Sequence, residues 1–354
     1  MASCSTTLPA SWYTSRGIYD LERRAVFLKS WVLLGAVTKF PDQGVEYKHE
    51  LAQVNFTVRR ETEDWRSIKV YNENNGRVMR FHLTATGLLF LTLSDDTVGF
   101  EHFFPGLEAR IAHEDFTQYP LRRPLKYTSR NNWKAAVDAY QECLHCAYAH
   151  PEFAKRYKPA DYKVHDYTNY SQHVARPEVA NDGLFFYLFP NCTLSLYAGG
   201  MTCWRINPTA DPTQSRMEFD YYHKAPEGSD EFESYYKFTR NVALEDIELC
   251  EKTQANMNIG IYSEGILNPD KENGVACKPI PWRGTFDLML TEECADFHSR
   301  VLELCSDQLE GEQAERKVAS GALLTRTTGR VEPRFGLQSA FSLRNGRPCP
   351  NFVT

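Results

Sequence analysis

The spacing of apolar residues changes several times along the chain, and each change marks an element. Leu21, Ala25, Phe27 and Trp31 recur at roughly helical spacing and predict a helix over Ile18–Ser30. The apolar run Trp31-Val-Leu-Leu34 reads as a first strand. Val45–Arg60 and Ser67–Tyr71 alternate like strands of a small antiparallel sheet. Asn72-Glu-Asn-Asn-Gly76 is a turn signal whose Asn-Gly pair suits a hairpin, and Arg77–Leu83 and Gly87–Leu93 supply two further strands. Phe103-Phe-Pro-Gly106 punctuates the pattern. After an irregular linker, Leu125–Ser129 reads as a strand leading into Asn131–Pro151, which mixes aromatic, small and titratable side chains.

From Tyr157 to Tyr222 strand-like runs dominate. Phe185–Phe189, Thr193–Tyr197, Met201–Ile206 and Met217–Tyr222 are separated by Pro, Asn and Gly, which predicts an antiparallel meander. Ser229 reads as an N-cap with Asp230 and Glu231 in the first turn, opening a helix over Asp230–Met257 that contains no Pro or Gly. Glu292–Arg316 is a second helical segment, and the Gly-, Arg-, Thr- and Pro-rich remainder after Gly321 is expected to be partly disordered. The elements describe an α+β protein in which a β-rich N-terminal lobe precedes an antiparallel sheet flanked by helices.

Composition narrows the function classes. A net charge of −6 with scattered Lys and Arg argues against nucleic acid or an anionic membrane as partner. The longest apolar run, Gly87–Leu93, is a strand's length, so no membrane-spanning segment is expected. Met1–Ala10 lacks the charged start and apolar core of a signal peptide, and the expected location is cytoplasmic. In that compartment the 10 cysteines are expected as free thiols.

The chemistry concentrates in Asn131–Pro151, where Glu142, His145 and His150 fall within nine residues. Two imidazoles and a carboxylate this close suggest a metal site. His145 and His150 are five apart, so both reach one ion only if the helix ends or unwinds between them, which Pro151 makes reasonable. Two His plus one carboxylate with open positions is the arrangement of non-haem Fe(II) oxygenases, although paired imidazoles also suit Zn, Ni or Cu. Asp246 in the predicted helix is a candidate for the carboxylate, with Glu245 and Glu248 competing. The alternative reading makes His145 and His150 surface or hydrogen-bonded core histidines.

Asn132-Trp-Lys134, Asp138-Ala-Tyr-Gln-Glu-Cys-Leu-His145 and His150-Pro151 together resemble the catalytic-domain signature of Rieske non-haem iron oxygenase large subunits, in the choline monooxygenase branch. Leu8–Tyr13, Leu21–Phe27, Leu188–Asn191, Glu245–Glu251 and Gly265–Gly274 extend the resemblance over most of the first 275 residues. The resemblance implies that His145 and His150 are the iron-ligating histidines and Asp246 the carboxylate ligand. It implies that Glu142 bridges towards the neighbouring subunit's cluster-bound histidine. Asp138, one turn earlier, is a weaker candidate for such a supporting role beside its reading as a surface acid. The implied organisation is a reduced Rieske-like lobe at 1–104, a helix-grip catalytic domain at 105–282, and a C-terminal helix with a divergent tail at 283–354. The implied cofactor is Fe(2+) and the implied assembly a trimer-like homo-oligomeric ring.

The chain departs from the family at the cluster. A Rieske [2Fe-2S] centre takes two Cys and two His, supplied in the family as Cys-x-His and a later Cys-x-x-His. No cysteine lies between Cys4 and Cys143, and Cys143-Leu-His145 is not followed by Cys-x-x-His. The cluster is therefore expected to be absent. Cys143 and Cys146 form a Cys-x-x-Cys without the second pair that zinc requires. Electrons for O2 activation would come from a reductase or an intact homologue in a mixed oligomer, from the substrate, or from a small reductant. A redox-inactive metal-dependent relative, or a non-catalytic or regulatory partner of a full-length oxygenase, is the alternative. The substrate is a small organic molecule, a quaternary amine or a secondary metabolite. Phe185, Phe186, Tyr187, Tyr197 and Trp204 could line an aromatic cage for a quaternary amine, though such rings are also routine sheet core.

Overall fold

The computed structural model describes residues 6–158, 161–176, 183–268, 271–272, 274–275 and 297–324. The first helices are α1 (Ser11–Thr14) and α2 (Arg16–Ala25). The Ser15 hydroxyl accepts the Ile18 amide, so α2 starts before the expected Ile18 boundary. It also ends sooner than expected: after Ala25 the chain tightens into a 3-10 turn at Phe27–Lys29. Tyr19, Leu21, Glu22 and Ala25 are the buried face of α2.

The N-terminal strands are β1 (Trp31–Ala36), β2 (Glu46–Leu51), β3 (Val54–Arg60), β4 (Ile68–Asn72), β5 (Phe81–Leu83) and β6 (Leu88–Thr92). They form two three-stranded antiparallel sheets, β1-β6-β5 and β2-β3-β4. The single alternating stretch Val45–Arg60 is a hairpin. It reverses at Ala52 and Gln53, both at positive φ (48° and 65°), without the Gly or Asn that normally announces such a turn.

Short helices α3 (Phe100–Phe103) and α4 (Leu107–Ile111) lead to β7 (Leu121–Ser129), then α5 (Trp133–Tyr140), α6 (Cys146–Ala149) and α7 (Pro151–Arg156). The meander follows: β8 (Lys163–Tyr167), β9 (Tyr170–Val174), β10 (Leu184–Leu188), β11 (Cys192–Tyr197), β12 (Gly200–Pro208) and β13 (Ser215–His223). Among the described residues these pair in the order β7-β13-β12-β11-β10-β9-β8, all antiparallel. Every position of β12 is buried, so the sheet centre is covered on both faces. The long helix α8 (Asp230–Asn258) is capped by Ser229, whose hydroxyl accepts the Phe232 amide. Its buried positions Ala243, Ile247, Cys250, Gln254 and Met257 recur at 3- and 4-residue steps, the spacing of one helical face. The last helix, α9, runs over Phe297–Leu324 and passes Gly321 without a break. The expected helix start at Glu292 and the tail beyond residue 324 lie outside the described residues.

The chain divides into two compact units, Met1–Leu309 and Glu310–Thr354. Within the first, charged pairs sealed in the interior tie the N-terminal elements to the central sheet and to α5. Lys134 Nζ on α5 meets Glu22 Oε1 of α2 at 2.7 Å with both side chains fully buried. The Trp133 indole N–H donates to the other Glu22 oxygen at 2.9 Å. Lys39 Nζ meets Asp220 Oδ2 of β13 at 2.7 Å, and Arg205 of β12 bonds the same oxygen at 2.7 Å. No helix among the described residues is long and apolar enough to cross a membrane.

Candidate metal centre

The centre is built where α5 stops. Asn132 caps α5 through its side-chain oxygen, which accepts the Lys134 amide at 3.0 Å. The helix ends at Tyr140, and the chain unwinds through Gln141–His145 before α6 begins. His150 ends α6 and precedes α7, whose first residue is Pro151. The break that a five-residue separation demands is therefore present, and both imidazoles turn to one point. Asp246 reaches the same point from α8.

The three ring and carboxylate atoms form a compact triangle. His145 Nε2 lies 3.1 Å from His150 Nε2. Asp246 Oδ1 lies 3.2 Å from the first and 2.9 Å from the second. Each imidazole is held from behind by a carboxylate: Glu142 contacts His145 Nδ1, and Glu245 Oε2 lies 2.8 Å from His150 Nδ1. With Nδ1–H donated to those carboxylates, both Nε2 atoms present lone pairs to Asp246 Oδ1. That oxygen is buried without a hydrogen bond. Three mutually facing lone pairs repel unless a cation, a proton on an imidazole or a metal ion, sits among them. Cis ligands at metal bonds of about 2.1 Å are separated by about 3.0 Å, which matches the triangle. The donor set and its spacing fit a facial two-His, one-carboxylate metal site.

The titration behaviour agrees with a site shaped for positive charge. Burial works against protonation of His145, but the Asp246 and Glu142 carboxylates prevail and raise its pKa to about 10. His150 is raised in the same way against the same penalty, chiefly by Asp246. Burial opposes the charged form of Asp246, yet the two imidazoles hold its carboxyl below the usual range.

Of the acids weighed from the sequence, Glu248 pairs at 2.6 Å with Lys252 on the surface and is not part of the cluster. Asp138 is turned away from it, accepting the Tyr13 hydroxyl at 2.6 Å and contacting His298 Nε2 of α9 at 2.8 Å. It is a linked, partly buried acid rather than a free surface one. Two features escaped sequence reasoning. Gln141 is buried beside the centre, accepting the Ser171 hydroxyl at 2.7 Å, and nothing in its sequence context signals this. Cys143 and Cys146 are disulfide-bonded, contrary to the expectation of free thiols, because the turn between α5 and α6 brings the i and i+3 positions together. The described cysteines 192, 203, 250 and 305 are free and buried.

Of the five rings weighed between an aromatic cage and sheet core, Phe185 and Tyr197 lie 5.8 Å apart. Phe186, Tyr187 and Trp204 are core, with Trp204 stacked on Phe219 at 5.1 Å. Tyr197 instead carries the Arg156 guanidinium at 5.4 Å, shared with Tyr157 and Phe238. Phe185 lines a cavity of about 320 Å³ together with Arg110, His113, Gln172 and Arg176.

The architecture is a mixed helix and antiparallel-sheet fold of the Rieske oxygenase alpha-subunit type. It superposes on a crystal structure of a quaternary ammonium Rieske monooxygenase in complex with L-carnitine with a TM-score of 0.68, at 19% identity, covering 77% of this chain and 93% of that one. Naphthalene 1,2-dioxygenase from Rhodococcus sp. bound to indole gives a TM-score of 0.58 at 14% identity, covering 85% and 93%. Residues 116–277 match the family described as ring hydroxylating alpha subunit (catalytic domain). In sequence, the chain is 28% identical over 213 residues to the carnitine monooxygenase oxygenase subunit of Escherichia coli (strain K12), covering 54% of this chain. It is 22% identical over 337 residues to the chloroplastic choline monooxygenase of Spinacia oleracea, covering 76% of each. The match spans 57% of the length of the E. coli protein. The chain is thus similar, over residues 116–277, to ring-hydroxylating alpha-subunit catalytic domains, and similar in sequence to the carnitine and choline monooxygenases.

Proposed function

We propose that the chain is a mononuclear non-haem Fe(II) oxygenase, an oxidoreductase that uses O2 to oxidise a small organic substrate. His145, His150 and Asp246 hold the iron. The observation that carries this reading is the buried triangle of His145 Nε2, His150 Nε2 and Asp246 Oδ1, each side 2.9–3.2 Å, with a carboxylate behind each ring. When bound, Fe(II) supplies reductive activation of O2. Glu142 and Glu245 fix the ring tautomers and aim both Nε2 atoms inward. Asp246 neutralises part of the metal charge. The end of α5 at Tyr140 and the Pro151 break keep the two histidines at their non-helical separation. Quaternary amines are favoured substrates because the relatives are named for carnitine and choline.

The organisation that goes with this reading is a degenerate Rieske-like lobe at 1–104, a catalytic domain at 105–282 and a terminal segment at 283–354, working in the cytoplasm as a trimer-like ring. The lack of a Cys-x-His and Cys-x-x-His set between Cys4 and Cys143 supports absence of the [2Fe-2S] cluster. The same observation favours the second reading, a regulatory partner of an intact oxygenase.

Anaerobic loading with Fe(II), metal analysis, and O2 uptake with carnitine, choline and aromatic compounds test the proposal, with and without a reductase. Stoichiometric iron that is lost in His145→Ala, and substrate-dependent O2 uptake, are expected. A chain that binds no iron, or binds it equally in His145→Ala, defeats the enzyme reading. Absorption of an oxidised [2Fe-2S] centre in the purified protein defeats the cluster-free one.

A further inference from the structure

The Cys143–Cys146 disulfide occupies the very turn that carries His145. One ring nitrogen of His145, one of His150 and the Cys146 sulfur all lie within 4.8 Å of one another. No other described cysteine is placed this way. Cys192, Cys203, Cys250 and Cys305 are buried singly, and burial pushes the Cys192 thiol up to about 12. A cross-link between positions three apart closes too short a loop to constrain the unfolded chain strongly, so it contributes less to stability than long-range bridges do. It lies just beneath the surface: Cys143 and Cys146 are 7% and 6% exposed, while Leu144 and Tyr148 beside them are 41% and 90% exposed.

We propose that Cys143 and Cys146 form a redox-active pair that supplies the electrons for oxygen activation at the iron held by His145, His150 and Asp246; this rests on the iron reading above. Insertion of one oxygen atom into a C–H bond consumes two electrons and two protons, and a dithiol closing to a disulfide releases the same. The balance is C–H plus O2 plus two Cys–SH giving C–OH, water and Cys–S–S–Cys. One oxygen atom enters the substrate, and the other leaves as water with the two thiol protons. An external dithiol then restores the pair. Its thiolate attacks one sulfur, a mixed disulfide forms, and its second thiol releases the reduced protein. Cys-x-x-Cys spacing is the usual frame for such exchange. The pair thus stands where the sequence supplies no cluster motif, with one sulfur within 4.8 Å of a nitrogen of each imidazole.

The test uses the full chain, reduced with dithiothreitol, desalted without oxygen and loaded with Fe(II). Iron is counted first. The protein is then mixed with aerated buffer and L-carnitine or choline, without any other reductant. Alkylation of the denatured protein and peptide mass mapping show which cysteines have closed. The 143–146 bridge should form at least about tenfold faster than in His145→Ala, while Cys192, Cys203, Cys250 and Cys305 remain alkylated. The C143S/C146S variant should bind iron like the parent but lose O2 uptake by about tenfold or more, with ascorbate restoring it. If iron is bound and residues 143 and 146 stay as thiols, or close equally fast in His145→Ala, the redox proposal is wrong while the iron site stands. If no iron binds, both readings fall. The mapping arm uses the unaltered chain, so a variant that fails to fold does not remove the test.

Discussion

Replacing Glu245 by Gln separates the roles of three neighbouring carboxylates on α8. Glu245 Oε2 lies 2.8 Å from His150 Nδ1, whereas Asp246 Oδ1 faces both Nε2 atoms and Glu248 is paired with Lys252 at the surface. Removing the charge behind a ligating imidazole weakens metal binding by about 10- to 100-fold, or about 1.4–2.8 kcal/mol. The Glu245 side chain is 36% exposed, so water screens it, and the effect should sit near tenfold. Glu142 is 11% exposed, which places Glu142→Gln near the hundredfold end. Asp246→Asn should exceed both, and Glu248→Gln should change nothing. Anaerobic competition against a calibrated Fe(II) chelator measures each affinity, with circular dichroism verifying the fold. If Glu245→Gln weakens iron more than Asp246→Asn, Glu245 is the ligand and the assignment is reversed. If Glu245→Gln matches Glu248→Gln, the carboxylate behind His150 does nothing.

Three further outcomes follow from the packing. Glu22→Gln leaves Lys134 buried without its counter-charge and should lower stability by about 3–5 kcal/mol, read from the urea midpoint; a loss under 1 kcal/mol contradicts the buried pair. Gly200→Ala places a Cβ 2.6 Å from the Tyr235 ring and should lower stability by about 1–3 kcal/mol, visible as a reduced melting temperature. His49 is held neutral by burial and by nearby Lys39, which lower its pKa to about 3, against about 6.5 unfolded. Between those values only the unfolded chain takes up the proton, so this contribution is complete above pH about 6.5 and is lost as pH falls towards 3. His49→Phe, which keeps a ring against Phe56, should flatten the stability slope over that range, and an unchanged slope would contradict the assignment.

The long, strongly patterned elements were legible. The meander, α8 with its Ser229 cap, and the break between His145 and His150 all follow from local rules that tertiary contacts reinforce. What was not legible depended on distant residues. The hairpin at Ala52-Gln53 carries no turn chemistry of its own and exists because its strands pair in register. The choice among Glu245, Asp246 and Glu248 needs the direction of each side chain relative to α5 and α6, which one sequence does not contain. Asp138 resembles a surface acid until Tyr13 and His298, separated from it by 125 and 160 residues, arrive beside it. Strands β8 and β9 carry too much Lys, Asp, Gln and His to stand out as strands, yet they complete the sheet edge.

The buried pairs of the fold bear on how its parts hold together. Glu22 answers Lys134, and Lys39 answers Asp220, each from the part of the chain that precedes residue 105. Deleting that part would strand Lys134 in the interior at a cost of about 3–5 kcal/mol, while Asp220 would keep only Arg205 as its counter-charge. A whole domain is typically stable by only about 5–15 kcal/mol. The segment before residue 105 is therefore bound to the core that follows it by charge as well as by packing, and the two cannot be parted without exposing that core to an unanswered charge.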